Sequence, residues 1–207
     1  EVGAKPTRAQ YQLPEDAFVY ASFNNNFKFT ESVFASWMRV LHAVPNSVLW
    51  LLADNEWSKE NMLRVAEAHG VTRERLIFAP RVAPPDYLAR FQLADLMLDT
   101  FPYNAGTTAS DALWMGLPIL TLAGRSYISR MAGSLLSAVG LPDLITETLP
   151  QYEKLASQLG QCPERVASYR RYLAEQGHSS RLFDMPRLVR DLEDALARLA
   201  LAARTPN

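Results

Sequence analysis

Cysteine is almost absent from this 207-residue chain, and the single Cys162 excludes a disulfide framework and a cysteine-based zinc site. Histidine is scarce as well: His42, His69 and His178 are scattered without metal-ligand spacing and read as surface or packing residues. No charge of one sign dominates. The 21 Lys and Arg stand against 22 Asp and Glu, without the basic footprint of a nucleic-acid binder. Long apolar runs are missing too. The longest, Ala112 to Gly124, is too short to span a bilayer and is interrupted by Gly116 and Pro118. The first twenty residues hold no apolar core of a signal peptide. These absences predict a reducing, cytoplasmic setting, with neither nucleic acid nor membrane as a partner. The chain opens on Glu1 rather than Met, as expected of a piece of something longer.

What is present is ordinary for a globular chain: 48% apolar and 21% charged residues, enough to build a core. Residues 1–15 are polar, carry two prolines and read as a lead-in or linker. Short apolar, β-prone runs then alternate with stretches of helical spacing. The runs are Phe18–Ser22, Val48–Leu52, Leu76–Phe78, Leu96–Asp99 and Pro118–Leu122, with a weaker sixth near Leu144–Ile145. Between them fall helical stretches at Thr30–Val44, Ser58–His69, Pro84–Leu93, Thr107–Met115 and Ser129–Val139, and the chain from about Leu149 to Ala203 is helical. Strand–helix alternation with short connections predicts an α/β fold, a Rossmann-like doubly wound parallel sheet over residues 16–184. Residues 185–207 would form a separate terminal helix, with Leu188, Val189, Leu192, Leu196 and Leu199 along one face.

In such sheets ligands bind beyond the carboxyl ends of the strands. Four loops are thereby nominated: Phe23–Phe29, Ala79–Pro85, Thr100–Thr108 and Ala123–Arg130. The first reads FNNNFK and has no glycine, so it is not a dinucleotide fingerprint. Its Lys28 is either a point charge for phosphate or a solvated lysine on a turn. Ahead of the fourth helix, Gly106 precedes Thr107 and Thr108. This is either an anion-binding helix start or a simple cap, with Thr108 and Asp111 at a capping-box-like spacing. In the Ala79–Pro85 loop the prolines stiffen the chain. Beyond it, Tyr87 either stacks on a base, with Arg90 a turn further on, or packs on the domain. Asp99 closes a strand as a catalytic carboxylate or a brace for its loop. Bracing is favoured because no histidine stands nearby. No Asp-x-Asp, G-x-S-x-G or phosphate-loop motif occurs, and no metal is expected.

The segments PNSVLWLLADN, RLIFAPRVAPPDYLARFQLADLMLDTFPYNAGTTASDALWMGLPILTLAG and SYISRMAGSLLSAVGL resemble the C-terminal catalytic half of the O-GlcNAc transferase and SPINDLY family, in a bacterial-like version. The resemblance runs from about Phe18 to Pro186. It implies the donor-binding half of a GT-B glycosyltransferase, with TPR repeats in the parent protein, and a helix over 185–207 that packs in part on the missing N-terminal half, the alternative being that it packs wholly on its own sheet. The implied reaction is inverting transfer of N-acetylglucosamine from UDP-GlcNAc to Ser or Thr of proteins, with UDP as product and no cofactor required. Lys28 matches the family lysine at the diphosphate and Asn25 a glutamine that meets the phosphates. Thr107 and Thr108 match the phosphate-binding helix start, and Asp111 the carboxylate on the ribose. Val82 would hold uracil through its backbone. Tyr87 and Arg90 fall where animal members have a base-stacking histidine and an arginine. Gly106 and Pro84 depart from a histidine and a lysine of the family. The resemblance places the protein acceptor and the candidate bases mainly in the other, N-terminal catalytic half, so this half alone is expected to be inactive. Two alternatives stay open: the donor half of another UDP-sugar enzyme with a small acceptor, and a non-catalytic interaction domain.

Overall fold

The computed structural model describes residues 1–52 and 55–204. Six strands form one sheet: β1 (Phe18–Ser22), β2 (Ser47–Leu52), β3 (Leu76–Ala79), β4 (Leu96–Leu98), β5 (Ile119–Leu122) and β6 (Ile145–Thr146). All neighbours pair in parallel, in the order β3-β2-β1-β4-β5-β6. This is the expected doubly wound sheet. The chain reverses its direction of travel between β1 and β4, which opens a crevice at their carboxyl ends. Pairing is uneven. β1 and β2 share five registered residue pairs, whereas β4 with β5, and β5 with β6, share two each.

Five helices connect the strands: α1 (Glu31–Ala43), α2 (Glu56–Ala68), α3 (Pro84–Arg90), α4 (Thr107–Trp114) and α5 (Met131–Val139). The long helical tail resolves into α6 (Leu149–Gln161), α7 (Pro163–Gln176) and α8 (Met185–Arg204). Pro163 starts α7 because proline suits a first turn and cannot continue the preceding helix. Gly140 ends α5 at φ +90°, a conformation that glycine adopts without strain. Gly160 has a different duty: a Cβ there would strike the Tyr20 hydroxyl, so α6 can lie close over β1. That hydroxyl donates to the Ala156 carbonyl at 2.9 Å. The strands are buried along nearly their whole length, as continuous apolar runs in a parallel sheet require.

Residues 1–15 are built onto this domain. Arg8 donates to the carbonyls of Glu15 and Ala17 and pairs with Asp95 at 3.0 Å. Asp95 in turn accepts from the Val19 N–H at 2.8 Å. Leu13 is buried, and Tyr11 meets Trp50 edge-on at 5.0 Å. The terminal helix behaves differently: Leu188, Val189, Leu192, Leu196 and Leu199 remain 48–67% exposed. Residues 205–207 of the predicted terminal segment lie outside the described residues.

Behind the crevice, the buried Tyr152 hydroxyl accepts from Trp37 Nε1 at 3.1 Å and donates to the Asp99 carbonyl at 2.9 Å. One hydroxyl thus joins α6, α1 and the end of β4. Tyr152→Phe leaves a buried donor and a buried acceptor unmet. The expected cost is about 2–3 kcal/mol, seen as a lower urea midpoint at unchanged slope. An unchanged midpoint would mean that water replaces the hydroxyl freely.

Candidate functional site

The crevice holds a cavity of about 250 Å³, lined by residues that leave β1, β2 and β3 and by the first turn of α4. Six of the eight site residues expected from the sequence come together there: Asn25, Lys28, Val82, Tyr87, Arg90 and Thr108. Thr107 and Asp111 do not line it. Thr107 is exposed at the start of α4, and Asp111 stands one turn into the helix, half-buried.

Each contributor is held by identifiable contacts. Lys28 ends a short 3-10 turn, Asn26–Lys28, and its ammonium lies 4.5 Å from the Tyr103 ring centroid. Partial burial pulls its pKa below the ordinary lysine value, and the negative charge of Asp99 opposes that shift. Asn25 Oδ1 accepts from Arg81 at 3.5 Å. Arg90 is only 2% exposed and lies between the rings of Phe23 and Tyr87, at 4.1 and 4.7 Å. Its Nη1 donates to the Pro80 carbonyl at 3.0 Å. Desolvation lowers its pKa. Arg90 therefore stiffens one cleft wall as well as charging it.

Tyr87 adopts neither of its two sequence readings purely. Its ring packs edge-on against Phe91 at 5.1 Å, yet the residue still lines the cleft. Burial pushes its phenol up to about 12, while the side chains of Thr108 and Asp111 interact with its hydroxyl. Burial likewise raises the Asp111 carboxyl, and Tyr87 opposes that shift. The capping-box alternative for Thr108 and Asp111 fails. Gly106 is the N-cap, no side chain caps α4, and both residues lie inside the helix. The positive end of α4 therefore meets the crevice without a side-chain cap.

Asp99 is the brace. Its buried carboxylate accepts from the N–H groups of Thr100 and Ala105, both at 2.8 Å, and from the Thr121 hydroxyl at 2.6 Å. The loop between β4 and α4 is folded around that one group. Burial pushes its pKa up to about 7, against these donors and the charge of Lys28.

The sequence profile of glycosyl transferase family 41 matches residues 4–192. This chain belongs to glycosyltransferase family 41. The UDP-N-acetylglucosamine–peptide N-acetylglucosaminyltransferase of Caenorhabditis elegans is 37% identical over 193 residues, 93% of this chain and 17% of that protein. The probable enzyme of the same name, SEC, of Arabidopsis thaliana is 36% identical over 92% of this chain and 20% of its own length. A mutant of the O-GlcNAc transferase of Thermobaculum terrenum superposes with a TM-score of 0.82 at 31% identity, covering 89% of this chain and 38% of that one. This family-41 chain thus spans about a fifth of the curated relatives it matches. Its architecture is the Rossmann-like half of a GT-B glycosyltransferase.

Within the family-41 frame, Pro84 occupies the first turn of α3, where proline fits. Gly106 has φ −104°, which any residue adopts, and a Cβ would meet Met131 Cγ at an ordinary 3.6 Å. Its backbone does not demand glycine. No group of His, Cys, Asp or Glu able to hold a metal occurs among the described residues, and no described helix is long and apolar enough to cross a membrane. Phe23, Asn24 and Arg81 also line the cavity, within loops nominated from the sequence but not singled out as site residues, and sequence reasoning missed Leu52. Asn24 was visible as one of three consecutive amides, but nothing in their spacing marks which of them is buried.

The raised pKa of Asp99 carries a sign that can be tested. Between its unfolded value of 3.8 and its folded value of about 7, the native state holds a proton that the unfolded state has lost. Stability attributable to Asp99 therefore falls as pH rises from about 4 to about 7 and is level above. Asp99→Asn keeps Oδ1 for the two N–H groups and places Nδ2 against the Thr121 hydroxyl, which can accept. The melting temperature of the native chain minus that of the variant should decline from pH 5 to pH 8. A difference constant across that range would mean that Asp99 is ionised throughout.

Proposed function

We propose that this chain is the donor-binding half of a protein O-GlcNAc transferase. In this reading it takes UDP-GlcNAc, whose sugar is transferred with inversion to Ser or Thr of a protein, and it needs no metal. The observation that carries the reading is the pairing of Lys28 with the uncapped start of α4 at the sheet's switch point. As the bond from the sugar to the diphosphate breaks, the electron pair leaves with UDP and negative charge grows there. A lysine and a set of unpaired N–H groups, fixed in advance, stabilise that charge directly. Val82 and Tyr87 form the side of the cleft suited to the base, and Asp111 lies beside Tyr87 for the ribose. No carboxylate or histidine among the described residues lines the cleft, and in this reading the base that takes the acceptor proton belongs mainly to the N-terminal catalytic half. TPR repeats in the parent would recruit the protein acceptor, and the scarcity of cysteine suits a cytoplasmic location.

Calorimetric titration with UDP in excess chelator tests this. The native chain should bind. Lys28→Ala should weaken binding at least tenfold and slow the intact enzyme about a hundredfold, the usual loss for a charge-stabilising donor, at unchanged melting temperature. Loss of binding on chelation would remove the metal-free proposal, and an unchanged rate would remove Lys28 from the mechanism.

The exposed stripe of α8 fits the same reading. One ion pair of this helix runs from Arg181 to Asp191, both exposed, and is worth little. We assign the stripe to contact with the N-terminal half of the parent. Truncation before Met185 should leave circular dichroism and UDP binding of this domain intact while weakening its docking in the parent enzyme. Unfolding of the truncated domain would return the stripe to this domain's own core.

A further inference from the structure

Asn24 follows directly after Phe23 at the carboxyl end of β1 and lines the cleft together with Asn25 and Lys28. The residue is only 3% exposed, yet its Oδ1 and its Nδ2 both lack a hydrogen-bond partner among the described residues. Buried polar side chains are paired in the large majority of cases, so a carboxamide with neither end met is exceptional. The same cleft holds a second unmet group, the buried Nε of Arg90. Unmet polar atoms on two residues of one cleft are what a site looks like when its ligand supplies the partners.

The chemistry of the amide narrows the ligand group. A carboxamide offers two donors and one acceptor. Phosphate oxygens only accept and would leave Oδ1 unmet. Lys28 and the α4 N-terminus already serve them. A hydroxyl both donates and accepts, so adjacent hydroxyls satisfy both ends of the amide. Position agrees: Asn24 shares its loop with Lys28 on the phosphate side, whereas Val82 comes from the segment between β3 and α3 and Tyr87 from α3 itself. We infer that Asn24 hydrogen-bonds carbohydrate hydroxyls of the bound nucleotide sugar, those of the ribose or of the transferred sugar. This inference rests on the nucleotide-sugar reading proposed above.

Among the described residues the amide makes no hydrogen bond, which gives the inference a signature that a structural residue lacks. Asn24→Ala should leave the melting temperature of the full chain unchanged or slightly raised, because it removes unmet groups and breaks no protein hydrogen bond. It should nevertheless weaken ligand binding about tenfold. Asn24→Asp keeps the shape but sets a negative charge beside the diphosphate, and should weaken binding further. Calorimetry with UDP, UDP-GlcNAc and 2′,3′-dideoxy-UDP separates the sources. Loss on UDP-GlcNAc alone assigns the transferred sugar. Equal loss on UDP and UDP-GlcNAc that vanishes with dideoxy-UDP assigns the ribose. Equal loss that persists with dideoxy-UDP places Asn24 on the base or phosphates and overturns the inference. It is equally overturned by unchanged affinity for all three ligands, or by a lowered melting temperature with unchanged affinity. If the native chain binds none of the three, the nucleotide-sugar reading itself has failed, whatever Asn24 does.

Discussion

The architecture of the cleft hangs on one buried carboxylate. β4 is only three residues long, and its ladder cannot by itself fix the chain that follows. Asp99 does so from inside. It gathers Thr100 and Ala105 from its own loop and Thr121 from β5, while its carbonyl is held by Tyr152. The loop so closed sets the start of α4. It also carries Tyr103, whose carbonyl accepts from Thr100 and whose ring supports Lys28. Removing charge from water is costly in itself. Here three donors and the charge of Lys28 offset only part of that cost, and burial still raises the pKa to about 7.

This arrangement also separates charges by depth. Lys28, Arg81 and Arg90 line the cavity, and the positive end of α4 meets it. Two carboxylates of the adjoining segments are engaged elsewhere: Asp99 is buried in its own network, and Asp111 stands beside the Tyr87 phenol. A cleft so arranged favours an anion. It also explains why a chain of balanced overall charge can hold a locally positive crevice.

Much of this was legible in the sequence. Continuous apolar runs such as Val48–Leu52 mark strands buried on both faces, and the alternation with helical spacing fixes a parallel sheet, hence the end at which loops matter. The bracing role of Asp99 followed from its place at a strand end without a histidine neighbour. What escaped depends on direction rather than on order along the chain. The spacing of Thr108 and Asp111 imitates a capping box, but the helix begins at Thr107 behind the N-cap Gly106, so that both lie inside it. Three consecutive asparagines do not reveal which is buried. Residues 1–15 looked loose because their anchors are single side chains, Arg8, Tyr11 and Leu13, without a periodic pattern. The stripe on α8 was plain in the sequence, and within this chain it remains exposed.

The sheet's uneven pairing has a consequence for how the domain opens. On one side of the switch point, β1 and β2 share a long ladder. On the other, β5 and β6 are joined by short ladders and by side-chain tethers, among them the Thr146 hydroxyl donating to the Thr121 carbonyl. Proteins open locally where few ladder bonds must break. Amide hydrogens of β6 and β5 would therefore exchange with solvent through smaller fluctuations than those of β1 and β2. The β1 loop that carries Lys28 leaves the slow-exchanging side, while the start of α4 sits at the edge of the faster one. A ligand that bridges the two ties the yielding side of the sheet to the rigid side.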